Sequence, residues 1–372
     1  MRVLHVISDQ NIGGAGILLL NLLQQLDRSR VESTVALPRG SALIPRLGAL
    51  GIPCIPLAHD CDRMNPSSVR ELSRLIRSEA VDLVSANAAL SARVAGRLAG
   101  VRVVHTRHCC FPPVGVWRLA PIRWGGGLFN RALSDRVIAT AEAAADDLFR
   151  LGVPRERIKV IINGAAPVRE VSAEELDAVR RAWGIAPNDF CIGICARLVP
   201  YKGHETLLHA AKLLCEASEG RSYCFLLAGE GEARADLERQ VLTLGLEKRV
   251  KFLGFLEDPA PFYRLIRINV NCSVGTETSC LALSEGMSAG VPAVASDYGG
   301  NPAMLGDGRA GRLFPKGDPR ALAERIREIA EDPELEKRMK AAALETYGRR
   351  FAPQRMADEV KALYESLFSE ER

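Results

Sequence analysis

The stretch VLHVISDQNIGGAGILLLNLLQQL, residues 3–26, contains the unit from which the fold is built. A short apolar run, Val3–Ile7, is followed by the glycine-rich turn Ile12–Gly16 and the helix-like segment Ile17–Leu26. A strand, a turn and a helix in this order predict the first half of a βαβ unit. Glycines let the backbone approach a ligand closely, and the first N–H groups of a helix attract anions. A tight turn without a ligand is the alternative interpretation.

The alternation of short apolar runs and helix-like segments continues along the chain. In the first half, strands are also predicted at Glu32–Leu37, Leu83–Ala86, Val101–Thr106, Arg136–Ala139 and Val160–Ile162, and helices at Val69–Ser78 and Glu142–Leu151. In the second half, strands are predicted at Cys191–Cys195, Tyr223–Ala228, Val250–Leu253, Ile268–Asn271 and Pro292–Ser296. This pattern predicts an α/β fold with two Rossmann-like, doubly wound parallel sheets.

The alternation pauses between Ala165 and Asp189, and the polar run Val171–Arg181 within that interval predicts a linker. The segment Phe351–Phe368, with Pro353 in its first turn, predicts a C-terminal amphipathic helix. Open parallel sheets bind ligands outside the carboxyl ends of their strands, so two such sheets facing each other would form one interdomain cleft. Functional residues are therefore expected directly after strands.

Length and composition limit the classes of protein that fit. At 372 residues, with 47% hydrophobic and 25% charged residues, the chain predicts a soluble globular protein of two domains. A net charge of +4 is too small for a dedicated nucleic-acid-binding protein. No run approaches the roughly 20 apolar residues of a membrane span, and the N-terminus lacks the apolar core of a signal peptide. The ten cysteines form no CxxC motif, which predicts reduced thiols in the cytoplasm.

Two cations follow the predicted strand Cys191–Cys195. Arg197 and Lys202 are five residues apart, across a turn that contains Pro200. Arginine offers a planar fork of donors and lysine a compact charge, so together they fit a diphosphate. A solvated basic loop is the alternative.

Two carboxylates and one histidine also follow predicted strands. Glu277 lies in the loop after Ile268–Asn271, and Glu285 lies in the helix that Thr278 or Ser279 is expected to cap. Both carboxylates could accept hydrogen bonds from sugar hydroxyls, although a helix with acidic termini fits equally well. His108 follows the strand Val101–Thr106, where it would point into the cleft unless it is a hydrogen-bonded structural residue.

Four segments taken together resemble a known family. They are IGGAG (12–16), VIINGAAP (160–167), ARLVPYKG (196–203) and the Glu-x7-Glu segment 277–285 followed by GMSAGVPAVAS (286–296). As an ordered set they resemble the retaining glycosyltransferases of family 4, which have the GT-B fold. The likeness covers nearly the whole chain. It departs from the family at Thr278-Ser279-Cys280, where Gly-Phe-Gly is common, which leaves the donor sugar open.

The resemblance implies a role for each of the residues already singled out. Arg197 and Lys202 would hold the donor diphosphate, Glu285 the ribose hydroxyls and Glu277 the hydroxyls of the transferred sugar. Gly14 would bring its backbone to the distal phosphate, and His108 would line the donor sugar. Gly229 and Phe255 match stretches that wall the base, and Leu281 follows Glu277 in the same donor segment. Arg197, Lys202, Glu277 and His108 are then the predicted catalytic residues.

The resemblance also implies a division of labour. Residues 1–168 would form an acceptor-side domain, residues 169–350 the nucleotide-sugar-binding domain, and residues 351–372 would pack back on the first. Asp60-Cys61-Asp62 fits the DxD pattern of metal-dependent glycosyltransferases, but it lies far in sequence from the cations and is interpreted as a solvated loop. No metal or other cofactor is therefore expected. Residues 111–131, rich in aromatic and basic side chains, fit either peripheral contact with the inner face of the plasma membrane, a lipid-linked acceptor, or an ordinary core-facing element.

The expected activity is retaining transfer of a hexosyl unit from a nucleotide sugar, with UDP-sugars favoured as the commonest family donors. The acceptor hydroxyl would belong to a sugar or a lipid-linked acceptor in the synthesis of cell-surface polysaccharide or glycolipid. A nucleotide-sugar epimerase of the same fold and a non-catalytic nucleotide-sugar-binding protein are the alternatives.

Overall fold

The computed structural model describes residues 1–10, 12–109, 120–217 and 220–369, and it leaves out the side chains of residues 120–124. The chain divides into two compact units. Unit 1 comprises Met1–Ala165 together with the C-terminal segment from Ala352, and unit 2 comprises Ala166–Phe351. Each unit has its own parallel sheet and its own core.

Unit 1 contains a seven-stranded sheet in the order β3-β2-β1-β4-β5-β6-β7, in which every pairing is parallel. The strands are β1 (Arg2–Ile7), β2 (Glu32–Pro38), β3 (Cys54–Leu57), β4 (Leu83–Asn87), β5 (Arg102–Arg107), β6 (Arg136–Ala139) and β7 (Ile158–Val160). The helices are α1 (Gly14–Gln25), α2 (Ile44–Ala49), α3 (Pro66–Ser78), α4 (Leu90–Ala99), α5 (Ala120–Leu133), α6 (Glu142–Arg150) and, at the C-terminus, α15 (Pro353–Ser369).

Unit 2 contains a six-stranded parallel sheet in the order β10-β9-β8-β11-β12-β13. The strands are β8 (Phe190–Cys195), β9 (Tyr223–Ala228), β10 (Val250–Gly254), β11 (Ile268–Asn271), β12 (Ala293–Ser296) and β13 (Gly311–Phe314). The helices are α7 (Ala173–Ala182), α8 (His204–Ala217), α9 (Arg234–Leu244), α10 (Ala260–Leu265), α11 (Leu281–Ser288), α12 (Asn301–Leu305), α13 (Pro319–Glu331) and α14 (Pro333–Arg350).

Both sheets are buried on their two faces, which explains why their central strands are almost continuously apolar. In β1, Val3 and Ile7 belong to one hydrophobic cluster, while Leu4 and Val6 belong to the cluster on the other face. Helices cover both faces, as the alternation of strands and helices predicts. The α/β fold class with two Rossmann-like doubly wound sheets is therefore confirmed.

The linker predicted between Ala165 and Asp189 is wrong in its central part, because α7 lies inside it. The Ser172 side chain caps this helix by accepting a hydrogen bond from the Glu175 N–H at 3.2 Å. Acidic residues in the first turn and basic residues in the last turn suit the helix dipole. The apolar side of α7 packs through Leu176 and Val179 against a buried cluster of unit 2.

The C-terminal helix is present, as α15, and it is part of unit 1. Its buried face joins the same hydrophobic cluster as α1, and the Tyr364 hydroxyl donates to Ser85 Oγ at 2.9 Å. The Arg355 guanidinium donates to the Ile162 carbonyl oxygen at 2.7 Å. The end of the chain is thus fastened to strand β4 and to the segment that follows β7.

In the segment 111–131, for which membrane contact is one of the predictions, residues 111–119 lie outside the described residues. In its described part, Leu128 and Phe129 on α5 are 44% and 51% exposed. Across the described ranges, no helix combines the length and the apolarity that crossing a bilayer requires. The nine cysteines that the structure describes are free thiols.

Candidate functional site

The loops that carry Arg197, Lys202 and Glu277 leave the sheet of unit 2 where it changes winding direction. Strand β8 pairs with β9 on one side and with β11 on the other, so the loops after β8 and β11 leave the sheet side by side. The two loops are joined by a hydrogen bond from the Val274 N–H to the Tyr201 carbonyl oxygen at 2.9 Å. Such a switch point is where open α/β sheets bind ligands.

Lys202 and Glu277 meet at this switch point. The Lys202 ammonium donates to Glu277 Oε2 at 2.7 Å, and only 17% and 7% of the two side chains are exposed. Burial alone would lower the pKa of Lys202, but the negative charge of Glu277 outweighs it, so the pKa of the lysine is raised. The sequence placed these residues in separate motifs, and the fold brings them together.

Glu277 is held by neutral donors as well. Ser273 Oγ donates to Glu277 Oε2 at 2.7 Å, and Asn271 Nδ2 donates to the same oxygen at 3.1 Å. Burial would raise the pKa of Glu277, but Lys202 and these hydrogen bonds outweigh burial and hold the pKa below its ordinary value. The site therefore keeps an ionised carboxylate in a place where water has little access.

Asn271 connects Glu277 to a buried polar network that the sequence did not reveal. Its Oδ1 accepts from the Ser273 N–H at 2.9 Å and from Asn301 Nδ2 at 3.3 Å. Asn301 is fully buried, and its Nδ2 also donates to the Ser296 carbonyl oxygen at 3.1 Å. Only the positions of the two asparagines could have indicated this network. Asn271 is the last residue of β11, and Asn301 is the first residue of α12, the helix after β12.

The backbone around Glu277 is tightly constrained. Thr276 has a φ of +54°, a left-handed conformation that is rare for a β-branched residue and indicates local strain. The Gly300 N–H donates to the Glu277 carbonyl oxygen at 3.3 Å, and a Cβ added at Gly300 would collide with the carbonyl oxygen of Thr278. Only a glycine allows the segment after β12 to approach the Glu277 loop this closely.

Arg197 lies in the loop after β8, five residues before Lys202. It is exposed, and its guanidinium bonds to the Tyr201 hydroxyl and lies 5.8 Å from the centre of the Tyr201 ring. The Lys202 ammonium is 5.9 Å from the same ring. Tyr201 thus stands between the two predicted phosphate-binding cations. The nearby Gly229 has a φ of +136°, and a Cβ there would collide with the carbonyl oxygen of Ala196.

Glu285 has a different environment from Glu277. The helix that carries it begins at Leu281 with Cys280 at the N-cap position, so the prediction of Thr278 or Ser279 as the cap is wrong. Tyr263 on α10 donates its hydroxyl to Glu285 Oε2 at 2.8 Å. Burial raises the pKa of Glu285 to about 7, and the Tyr263 hydrogen bond offsets part of that rise.

The remaining predicted donor residues of unit 2 lie at the edges of this region. Leu281 is the first residue of α11 and is half-buried, and Phe255 directly follows β10 and is 57% exposed. The Gly229 N–H donates to the Gly254 carbonyl oxygen at 2.8 Å, which links the loops that follow β9 and β10.

The predicted residues of unit 1 also follow strands. Gly14 is the first residue of α1, after β1, and among the described residues no atom outside its own helical turn lies within 4 Å of the place where its Cβ would stand. His108 follows β5, and its Nε2 is 3.0 Å from Asn87 Oδ1 at the end of β4. Burial lowers the pKa of His108 to about 4, so the ring is neutral at physiological pH.

Comparison with protein families agrees with this arrangement. The model described as "Glycosyltransferase Family 4" matches residues 12–169, and the model described as "Glycosyl transferases group 1" matches residues 176–346. The first match falls in unit 1 except for its last four residues, and the second falls in unit 2. The chain is a glycosyltransferase of family 4 with the GT-B fold.

Individual relatives of this glycosyltransferase catalyse transfer to different acceptors. A D-inositol 3-phosphate glycosyltransferase of Streptomyces avermitilis is 33% identical over 57% of this chain and 48% of its own length. A 2-deoxystreptamine glucosyltransferase of Streptomyces kanamyceticus is 28% identical over 82% of this chain and 83% of its own length. Among solved structures, the crystal structure of Anabaena HepE in complex with UDP superposes with a TM-score of 0.84. The two sequences are 25% identical, and the match covers 98% of this chain and 100% of HepE.

The DxD sequence of this glycosyltransferase forms a local turn. The Asp62 N–H donates to Asp60 Oδ1 at 3.2 Å, and both aspartates are exposed. Among the described residues, no group of three or more His, Cys, Asp or Glu side chains is arranged to hold a metal ion.

Proposed function

We propose that this glycosyltransferase moves a hexosyl unit from a nucleotide sugar, preferably a UDP-sugar, to an acceptor hydroxyl with retention of the anomeric configuration. The observation that carries the proposal is the buried ion pair between Lys202 and Glu277 at the switch point of unit 2. The donor needs positive charge beside its diphosphate and hydrogen-bond acceptors beside its sugar hydroxyls. The pair supplies an ammonium group and a carboxylate, with 2.7 Å between Lys202 Nζ and Glu277 Oε2.

Arg197 and Lys202 would bind the diphosphate and stabilise the charge that develops on it as the glycosidic bond breaks. Preorganised cations favour the transition state because they need no reorganisation when that charge appears. Because the chain itself provides this positive charge, we propose that transfer requires no metal ion. The exposed Arg197 side chain would turn from Tyr201 to the phosphates.

The two carboxylates would bind different parts of the donor. Ionised Glu277 would accept hydrogen bonds from the hydroxyls of the transferred sugar, and Glu285 those of the ribose. Gly229, Phe255 and Leu281 would complete the donor site in unit 2. Gly14 would approach the distal phosphate, and neutral His108 would line the sugar without placing a second positive charge beside the oxocarbenium-like centre.

The surroundings of Glu277 support a retaining mechanism without a protein nucleophile. Glu277 is paired with Lys202 and held by two neutral donors, which suits binding better than nucleophilic attack. We propose that the acceptor attacks on the face from which the nucleotide departs, and that a phosphate oxygen takes the acceptor proton. The nucleoside diphosphate then leaves with this proton on its phosphate, and no protein carboxylate forms a covalent intermediate with the sugar.

The acceptor side is assigned to residues 1–168 and the donor side to residues 169–350. HepE has been solved with UDP-glucose and is 24% identical in that complex, which suggests this donor for the first assay. A sugar or a lipid-linked acceptor at the cytoplasmic face of the plasma membrane fits the reduced thiols and the exposed Leu128 and Phe129. We therefore propose that the enzyme acts in the synthesis of polysaccharide or glycolipid for the cell surface.

The test is to incubate the purified enzyme with UDP-glucose and a panel of sugar and lipid-linked acceptors, and to measure UDP release and the product by mass spectrometry. We expect acceptor-dependent UDP release that persists in excess EDTA and gives a product with the donor's anomeric configuration. Isomerisation of the donor alone would instead indicate an epimerase, and saturable binding without UDP release a binding protein. Loss of activity in EDTA that Mn²⁺ restores would contradict metal independence.

A further inference from the structure

Glu285 has one buried polar partner on a neighbouring helix, the hydroxyl of Tyr263. Tyr263 is fully buried on α10, and its ring packs edge-on against Phe262 with ring centres 5.1 Å apart. Its hydroxyl group donates a hydrogen bond to Glu285 Oε2, with 2.8 Å between the two oxygens. The hydrogen bond to Glu285 and the packing against Phe262 together set the direction of the tyrosine side chain.

We propose that Tyr263 is a positioning residue of the donor site, which holds Glu285 in the orientation and the ionised state that bind the ribose. The inference rests on the proposed function, in which Glu285 receives the ribose hydroxyls. A hydroxyl that donates to Oε2 fixes the plane of the carboxylate and leaves Oε1 to the ligand. A hydrogen bond to a charged acceptor also favours the ionised form over the protonated one.

The neighbours of Glu285 make this single hydrogen bond decisive. Burial raises the pKa of Glu285 to about 7, and the hydrogen bond from the Tyr263 hydroxyl offsets part of that rise. The titratable groups that face it are Tyr263 on α10 and Cys195 at the end of β8. The elements β11, β12 and α14 also pack on α11, and within the described residues they contribute no charged group to this titration. Without the tyrosine proton, more of Glu285 is protonated at physiological pH.

The sign of the pH dependence follows from this arrangement. The ionised carboxylate is the better acceptor for hydroxyls, so donor binding strengthens as pH rises through about 7. Removing the Tyr263 hydroxyl raises the pKa further, and the rise in affinity then occurs at higher pH. A purely structural role would instead weaken donor binding by the same factor at every pH.

The test compares Tyr263→Phe with Tyr364→Phe, a matched control. Tyr364 is also fully buried and donates its hydroxyl at 2.9 Å, but to Ser85 in the core of unit 1. UDP-glucose binding is measured by calorimetry between about pH 6 and about pH 9, since its diphosphate does not titrate there. For Tyr263→Phe we expect a loss of affinity of about tenfold near pH 7 that shrinks towards high pH. Tyr364→Phe should bind as the wild type does.

A second measurement separates this inference from the proposed function. The Glu285 carboxyl, labelled with ¹³C and assigned by its loss in Glu285→Gln, is titrated by NMR in the free enzyme. We expect its midpoint near pH 7 to rise in Tyr263→Phe and to stay unchanged in Tyr364→Phe. An unchanged midpoint, or a loss of affinity independent of pH, overturns the role of Tyr263. Failure of the wild type to bind UDP-glucose overturns the proposed function and leaves the NMR result standing.

Discussion

Glu277 and Glu285 lie eight residues apart, on one loop and the helix that follows it, yet their surroundings drive them in opposite directions. Glu277 is paired with a buried ammonium group, which holds its pKa down. Glu285 is paired with a neutral hydroxyl, and burial raises its pKa to about 7. The comparison shows that the charge of a carboxylate in this site depends on its partner more than on its depth. One residue is a fixed anion, and the other is poised to titrate.

The largest expected effect is on the cations beside the fixed anion. Lys202→Ala and Arg197→Ala should each lower turnover by roughly two or more orders of magnitude, since each removes about 3 kcal/mol of transition-state stabilisation. Steady-state kinetics at saturating donor measure this. Lys212→Ala is the matched control, because Lys212 forms a surface ion pair with Glu216 at 3.2 Å and should leave turnover unchanged. Near-normal turnover in both site variants would remove the diphosphate assignment.

The second prediction separates the two carboxylates directly. Glu277→Gln should mainly lower kcat, because it loses the charge that holds Lys202 and the transferred sugar in place. Glu285→Gln should mainly raise the KM for the donor, by about tenfold, and should abolish the change in KM near pH 7 that titration of Glu285 causes. Glu277→Gln should retain that change. If both variants shift kcat and KM alike, the two carboxylates do not have the separate roles proposed here.

The smallest expected effect concerns the amide behind Glu277. Asn271→Ala should lower kcat by about tenfold, since Glu277 loses one neutral donor and the link to Asn301. Asn269→Ala is the matched control on the same strand, because Asn269 is also buried but donates to the Ala282 carbonyl oxygen at 2.7 Å. Thermal unfolding should show comparable destabilisation in the two variants. A similar kcat in both would mean that Asn271 only supports the fold.

The repeating features of the fold could be predicted from the sequence because they are local. Apolar runs identified the central strands of both sheets, and the positions after strands pointed to Arg197, Lys202 and Glu277. The helix α7 was missed because its exposed face is polar, although Ser172 and Glu175 carry the spacing of an N-terminal cap. Amphipathic surface helices and polar linkers share a composition, and only capping residues distinguish them.

The partners of the site residues could not be predicted in the same way. Tyr263 is 22 residues from Glu285 in the sequence, and Lys202 is 75 residues from Glu277. Such pairs depend on which loops the strand order places side by side, and residue periodicity carries no information about that order. The sequence pattern predicts only that Asn271 and Tyr263 are buried. Hydrophobic periodicity does not indicate whether a buried position also makes a functional hydrogen bond.

The close approach of Gly300 to Thr278 has a consequence for how enzymes of this kind diverge. Thr278 and Gly300 are 22 residues apart in the sequence, but neither the Glu277 loop nor the Gly299–Gly300 segment can change its path without the other. Exchanging the 277–280 segment alone between relatives would therefore place foreign side chains against an unmatched backbone. We expect donor preference to transfer between relatives only when both segments are exchanged together. A chimera that carries both should fold and take its parent's donor, while either segment alone gives an unstable hybrid.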